Sequence, residues 1–220
     1  MKAIHCVLLV LALVSAGARA EDDMRRFRLI PFSEMTAAQR AYADAVMAGP
    51  VAATGSAAVV PGAKTIGSPF NVYLRSPELA QALRPLGEQI RFKSSLPARL
   101  NEFAILVTAR HWSAQYEWHA HHAHAMKAGL DPRLASELAQ GRRPSGMSEE
   151  EEAVHDFCRE LHEKKSVSDA NYARAVRHFG ETGAVELIGV IGYYTLVSMI
   201  LNVDRVPIPG GAPLPLPPLT

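Results

Sequence analysis

Two glutamates and four histidines concentrate the ionisable chemistry of this chain in one stretch. Glu102 sits in the run ARLNEFAILVTAR among mostly apolar neighbours, and Glu117 is followed within seven residues by His119, His121, His122 and His124. Residues four apart on a helix share a face, so Glu117 and His121 belong together, with His124 one turn on. A carboxylate beside an imidazole orients the ring and raises its affinity for a proton, which suits the pair to general acid–base work near neutral pH. Glu102, on the preceding helix, would support them: left unpaired in an apolar setting its carboxyl pKa would rise, and otherwise it would pair with the His121 imidazolium. His119, His122 and His124 are read as residues facing water or another subunit.

A metal centre is the rival reading of the same residues. Imidazoles at i, i+3 and i+4 with a carboxylate can chelate zinc or copper, and Glu117, His121 and His124 form such a set, as do His119 and His122 on the other side. The H-E-x-x-H pattern is absent, and the acid–base reading requires no cofactor. Tyr116 is a candidate hydrogen-bond donor to a substrate, and Trp118 a candidate pocket wall. Arg110 or Arg99 would hold a substrate carboxylate, against the plainer reading of both as solvated arginines.

These residues need helices to position them, and the chain supplies little else. Thr36 with Gln39 and Ser148 with Glu151 have the spacing of capping boxes. Ser76-Pro77-Glu78 opens a helix whose Leu79, Leu83, Leu86 and Ile90 recur at helical spacing. The Glu102 helix follows Pro97. The histidine helix runs from about Ala114 to Ala128 and stops at Gly129. Asp131-Pro132 starts a short helix, Ser168 caps another that Gly180 closes, and Val185 to Leu201 is apolar nearly all round, as a completely buried core helix would be. Residues 50–69 form a small-residue loop of a length that would cover a site. No strand-like alternation and no internal repeat is found, so the class is all-α.

At 220 residues the chain is expected to form one domain. A net charge of +1 without a basic stripe gives no support to nucleic-acid binding. Lys2, the apolar run Val7 to Val14 and Ala18-Arg19-Ala20 read as a cleavable signal peptide over 1–20, which implies a periplasmic or secreted protein with no membrane association after cleavage. Cys6 leaves with that segment, so Cys158 stands alone, on an apolar helix face where an inert thiol is expected. The remaining organisation is an N-terminal helix and loop over 21–69, a helical domain over 70–206 and a Pro-rich arm over 207–220, lying on the surface or on a neighbouring subunit.

The stretches LPARLNE with AILVTAR, YEWHAH, AMKAGL and ELI through IGYY together resemble the carboxymuconolactone decarboxylase family, which includes the alkylhydroperoxidase D-like proteins. The resemblance spans about Phe70 to Asn202. It implies a helical bundle with the glutamate and histidine helices packed antiparallel, in homotrimers or homohexamers with sites near subunit boundaries. The peroxidase branch carries a C-x-x-C pair between an upstream glutamate and a histidine; those two positions fall here on Glu102 and His121, whereas the cysteine positions fall on Ala114 and Glu117. Dithiol peroxidase chemistry is therefore not expected, since a thiolate cannot attack a peroxide if it is absent. The branch without the pair works on a lactone acid by proton transfer, which points to an exported enzyme acting on a small organic acid or lactone. Two other readings are a periplasmic metal- or ligand-binding protein without turnover, and a residual thiol peroxidase using Cys158.

Overall fold

The computed structural model describes residues 24–54, 56, 58 and 62–219; the signal peptide read over 1–20 lies outside the described residues. Nine α-helices and no strand are found among the described residues: α1 (Ala37–Ala48), α2 (Pro50–Ala53), α3 (Phe70–Tyr73), α4 (Pro77–Phe92), α5 (Ala98–His111), α6 (Gln115–Lys127), α7 (Pro132–Ala139), α8 (Glu149–Lys164) and α9 (Asp169–Asp204).

Local chemistry sets most of these boundaries. Thr36 and Ser148 each close a reciprocal capping box, and Asp131 and Ser168 accept a backbone N–H at their helix starts, so the first-turn donors are satisfied. Gly129 ends the histidine helix at φ +89°, a left-handed conformation that glycine adopts without steric cost. Ser76 differs from the expectation: its side chain makes no cap hydrogen bond, and Pro77 at the first helical position marks the start of α4. Gly180 has φ +68° and ψ 175°, which breaks the long α9 where the sequence placed a stop, although the chain resumes helix directly.

Helix α5 is the axis of the molecule. Every residue from Asn101 to Arg110 is buried, and α5 packs against α6, α8 and α9. Phe103, Leu100, Ile105 and Leu106 are fully enclosed, each contributing about 1.5–3 kcal/mol by leaving water. A second, smaller core of Tyr42, Val46, Ile66, Tyr73, Leu74 and Ala80 holds the N-terminal segment over α4. That segment is also strapped by polar ties. Buried Asp204 accepts from Arg25 and from the Phe27 N–H, while Asn71 donates to Ile30 and Ile66 carbonyls and accepts from the Ile30 N–H.

Two expectations need correction. The last helix is not completely buried: Leu187, Val190, Ile191 and Tyr194 face the core, but Val185, Ile188, Met199 and Val203 form an exposed apolar stripe. Leu79 and Leu86 of α4 are exposed as well, so their helical spacing does not mark a core face in this subunit. By length and composition α9 would also suit a membrane, but one flank is packed in the core, and Glu186 accepts from Ser94 and Ser95. The C-terminal arm lies on its own subunit, where Leu216 is buried and exchanges two backbone hydrogen bonds with the Gln115 amide.

Candidate active site

The turn Trp112–Ala114 folds α6 back beside α5, which brings Glu102 and His121 together. His121 Nδ1 lies 2.6 Å from Glu102 Oε2, and its Nε2 lies 3.3 Å from Glu117 Oε1. One buried imidazole thus stands between two buried carboxylates. The Glu117 contact is within ion-pair range but lacks hydrogen-bond geometry, so Glu117 Oε1 has no hydrogen-bond partner. The Tyr194 ring meets His121 edge-on at 5.0 Å and fixes the imidazole plane from α9.

The two carboxylates are shifted in opposite directions. Burial pushes the Glu102 carboxyl up, but the His121 ring, its hydrogen bond, Arg91 and His124 together outweigh burial and hold it below the ordinary carboxylate value. Burial dominates at Glu117 and raises it, with His121 and Arg91 offsetting only part. His121 thus presents Nδ1 to Glu102 and Nε2 to Glu117, an arrangement through which a proton could pass between the two carboxylates.

Glu117 and His121 line a cavity of about 370 Å³, at the small end for a ligand pocket. Tyr116 and His124 line it too, whereas Glu102 supports His121 from behind. Thr54, Ser56, Ser68 and Pro69 of the N-terminal segment line it as well; the loop expected over 50–69 is helical at its start, where Pro50–Ala53 form α2 with proline at the first position. Burial lowers the His124 pKa, with Arg91 and His121 adding to it.

Two proposed substrate contacts lie elsewhere. Trp118 follows Glu117 by one residue, about 100° around the helix, so it turns from the cavity and stacks with His122 above α7. Arg110 is two turns beyond Glu102 and donates to the Pro217 carbonyl beneath the C-terminal arm. Arg99 pairs with Glu150 and Glu151. The alternative metal set does not assemble either: among the described residues no group of three or more His, Cys, Asp or Glu side chains is placed to hold a metal ion, and both His121 nitrogens face carboxylates.

Sequence reasoning missed most of the cavity wall. Arg84 and Arg91 come from α4, Tyr42 from α1, Tyr73 from α3, and Tyr193 and Tyr194 from α9. Burial, then Glu117, pushes the Tyr193 phenol up to about 12. A Cβ on Gly87 would fall 2.4 Å from Tyr193 Oη, so the close approach of α4 to this wall requires glycine. The available signals were an arginine in the last turn of α4 and the tyrosine pair in an apolar helix.

No family model and no curated protein matches the chain. Solved structures do. An Agrobacterium tumefaciens protein of unknown function, described by reference to the antioxidant defence protein AhpD, aligns with a TM-score of 0.57 at 18% identity, over 63% of this chain and 96% of its own. The alkylhydroperoxidase AhpD core of an uncharacterized peroxidase-related protein from Ralstonia eutropha gives 0.65 at 14% identity, over 83% of this chain and 91% of its own. The chain therefore has the all-helical fold of the AhpD core, as its sequence resemblance to the carboxymuconolactone decarboxylase and alkylhydroperoxidase D-like proteins implied.

Proposed function

We propose that this protein is an exported carboxymuconolactone decarboxylase-like enzyme that performs proton-transfer chemistry, such as decarboxylation or lactone conversion, on a small organic acid. The observation that carries this reading is His121 held between Glu102 and Glu117 at the wall of a cavity. His121 Nε2 takes a proton from the substrate as general base, with Glu102 stabilising the imidazolium that forms. Glu117, which retains its proton more readily than an ordinary carboxyl, orients the ring and returns a proton to the product. Matching the group that donates to the group that accepts is worth about 10²–10⁴ in rate.

Dithiol peroxidase chemistry has no residues to run on here. The sequence has no C-x-x-C pair, the resemblance places its two positions on Ala114 and Glu117, and Cys158 is fully buried with its thiol pushed up by burial, which suppresses the reactive thiolate. The uncovered apolar stripe of Val185, Ile188, Met199 and Val203, with Leu79 and Leu86 on α4, supports assembly into a homotrimer or homohexamer.

The test is turnover of a panel of lactones and carboxylic acids by the mature protein. His121→Ala and Glu117→Gln are expected to lose about 10²–10⁴ in rate with circular dichroism unchanged, while His124→Ala stays near wild type. Wild-type rates in all three variants would overturn the assignment.

A further inference from the structure

A buried hydroxyl in the cavity wall has no partner in the protein. Tyr73, the last residue of α3, lines the cavity and is 5% exposed. Its Oη is a buried atom without a hydrogen bond among the described residues. Arg84 Nε, Arg91 Nε and Glu117 Oε1 share that condition, but they sit on side chains that pair in charge with Glu88, Glu102 and His121. The Tyr73 phenol has no such pairing to account for it. A phenylalanine would bury the same ring without the cost of an unsatisfied hydroxyl, about 1–3 kcal/mol, so packing gives no reason for the oxygen.

The chain fixes this hydroxyl from outside the cavity. Asn71, two residues earlier, donates to the Ile30 and Ile66 carbonyls and to Thr65 Oγ1. Ser68 accepts from Arg25, which also donates to buried Asp204 at the end of α9. Helix α3 is thereby pinned to the N-terminal segment and, through Arg25, to α9, and a donor held in this way loses little freedom when a ligand meets it. The wall beside Tyr73 consists of rings and paired charges. Tyr42 and Phe70 pack in the same core and line the same cavity, and Arg84 and Glu88 neutralise one another at 2.7 Å. Burial, with Tyr193, Tyr42 and Glu117 adding to it, pushes the Tyr73 phenol up, so it keeps its proton and donates. An uncharged acceptor suits such a wall better than a carboxylate, whose loss of water costs far more.

We infer that Tyr73 is a binding residue contributed by the N-terminal segment, whose hydroxyl donates to an uncharged carbonyl oxygen of the molecule in the cavity. This inference rests on the acid–base reading and adds to its site a group that orients the substrate without moving a proton. The labour is then divided between two parts of the chain. Helices α5 and α6 carry Glu102, Glu117 and His121, while α3 carries the donor that holds the substrate against them.

Binding, read without turnover, tests this. Cyclohexanone, and methylenecyclohexane with a methylene group in place of the carbonyl oxygen, are titrated into the isotope-labelled mature protein and followed by NMR. Tyr73→Phe is expected to weaken cyclohexanone about three- to tenfold, the worth of one neutral hydrogen bond, and to leave methylenecyclohexane unchanged. Because the ring stays and its oxygen has no partner in the protein, ligand-free Tyr73→Phe is expected to melt at or above the wild-type temperature. Unchanged cyclohexanone affinity in Tyr73→Phe, an equal loss for both compounds, or no binding of cyclohexanone to wild type would overturn the inference. So would a lower melting temperature in ligand-free Tyr73→Phe, which would assign the hydroxyl to a bond within the protein. A selective loss of cyclohexanone in Tyr73→Phe beside undiminished turnover in His121→Ala would instead sink the acid–base reading alone.

Discussion

His121 and His162 are buried to nearly the same degree, 6% and 7% exposed, yet their surroundings are opposite. His121 has a carboxylate at each ring nitrogen and a cavity at its edge. His162, on α8, faces the Thr108 hydroxyl at 3.2 Å and stacks on His111 at 4.3 Å. Burial, with His111 and Lys165 nearby, pushes its pKa down to about 4. Enclosure by itself makes an imidazole a packing element; a carboxylate at each ring nitrogen and a cavity at its edge make it a candidate for acid–base work.

The largest effect that separates the two sites is on rate. His121→Ala is expected to lower turnover by about 10²–10⁴, and His162→Leu to leave it unchanged in the same assay. Next comes acid stability. A histidine with a depressed folded pKa contributes stability that is fully present above its unfolded value of 6.5 and is lost as pH falls towards about 4. Urea unfolding between pH 7 and 4 should therefore fall less steeply for His162→Leu than for wild type; an equally steep fall would place the acid sensitivity elsewhere.

The two carboxylates of the His121 site should respond to pH in opposite senses. Glu117 has a raised folded pKa, so its contribution is lost as pH rises out of the carboxylate range, and Glu117→Gln should gain on wild type in melting temperature from pH 5 to pH 8. Glu102 has a lowered one, so Glu102→Gln should be most costly near neutrality, with the gap closing as pH falls below the ordinary carboxylate value. Melting curves of both variants that move in parallel with pH would contradict the assigned asymmetry. The smallest effect belongs to Arg110. Arg110→Met should leave turnover unchanged and only speed proteolysis of the C-terminal arm, since its hydrogen bond is to Pro217.

What the sequence carried was local. Capping pairs such as Thr36–Gln39 and Ser148–Glu151, and the stop at Gly129, depend on residues three or four apart and appear where expected. The Glu117–His121 pair was legible for the same reason, and Glu102 because a glutamate in a mostly apolar helix needs a partner. The remaining wall was not legible, because Arg91, Tyr42 and Tyr73 reach the cavity only through the packing of three separate helices. That Trp118 and Arg110 turn from the cavity was not legible, because proximity in sequence says nothing of which side of a helix a residue takes. The exposed stripe of α9 has a related cause: an all-round apolar pattern does not distinguish a helix enclosed on every side from one with an exposed apolar face.

The central claim is that Glu102 and Glu117 act through His121, and a double-mutant cycle on turnover tests it most directly. Glu102→Gln, His121→Ala and the double variant are compared with wild type on the same turned-over acid or lactone. The relay predicts that Glu102→Gln slows the wild-type enzyme but adds no further loss once His121 is gone. Losses that multiply in the double variant, or a His121→Ala enzyme as fast as wild type, would contradict it.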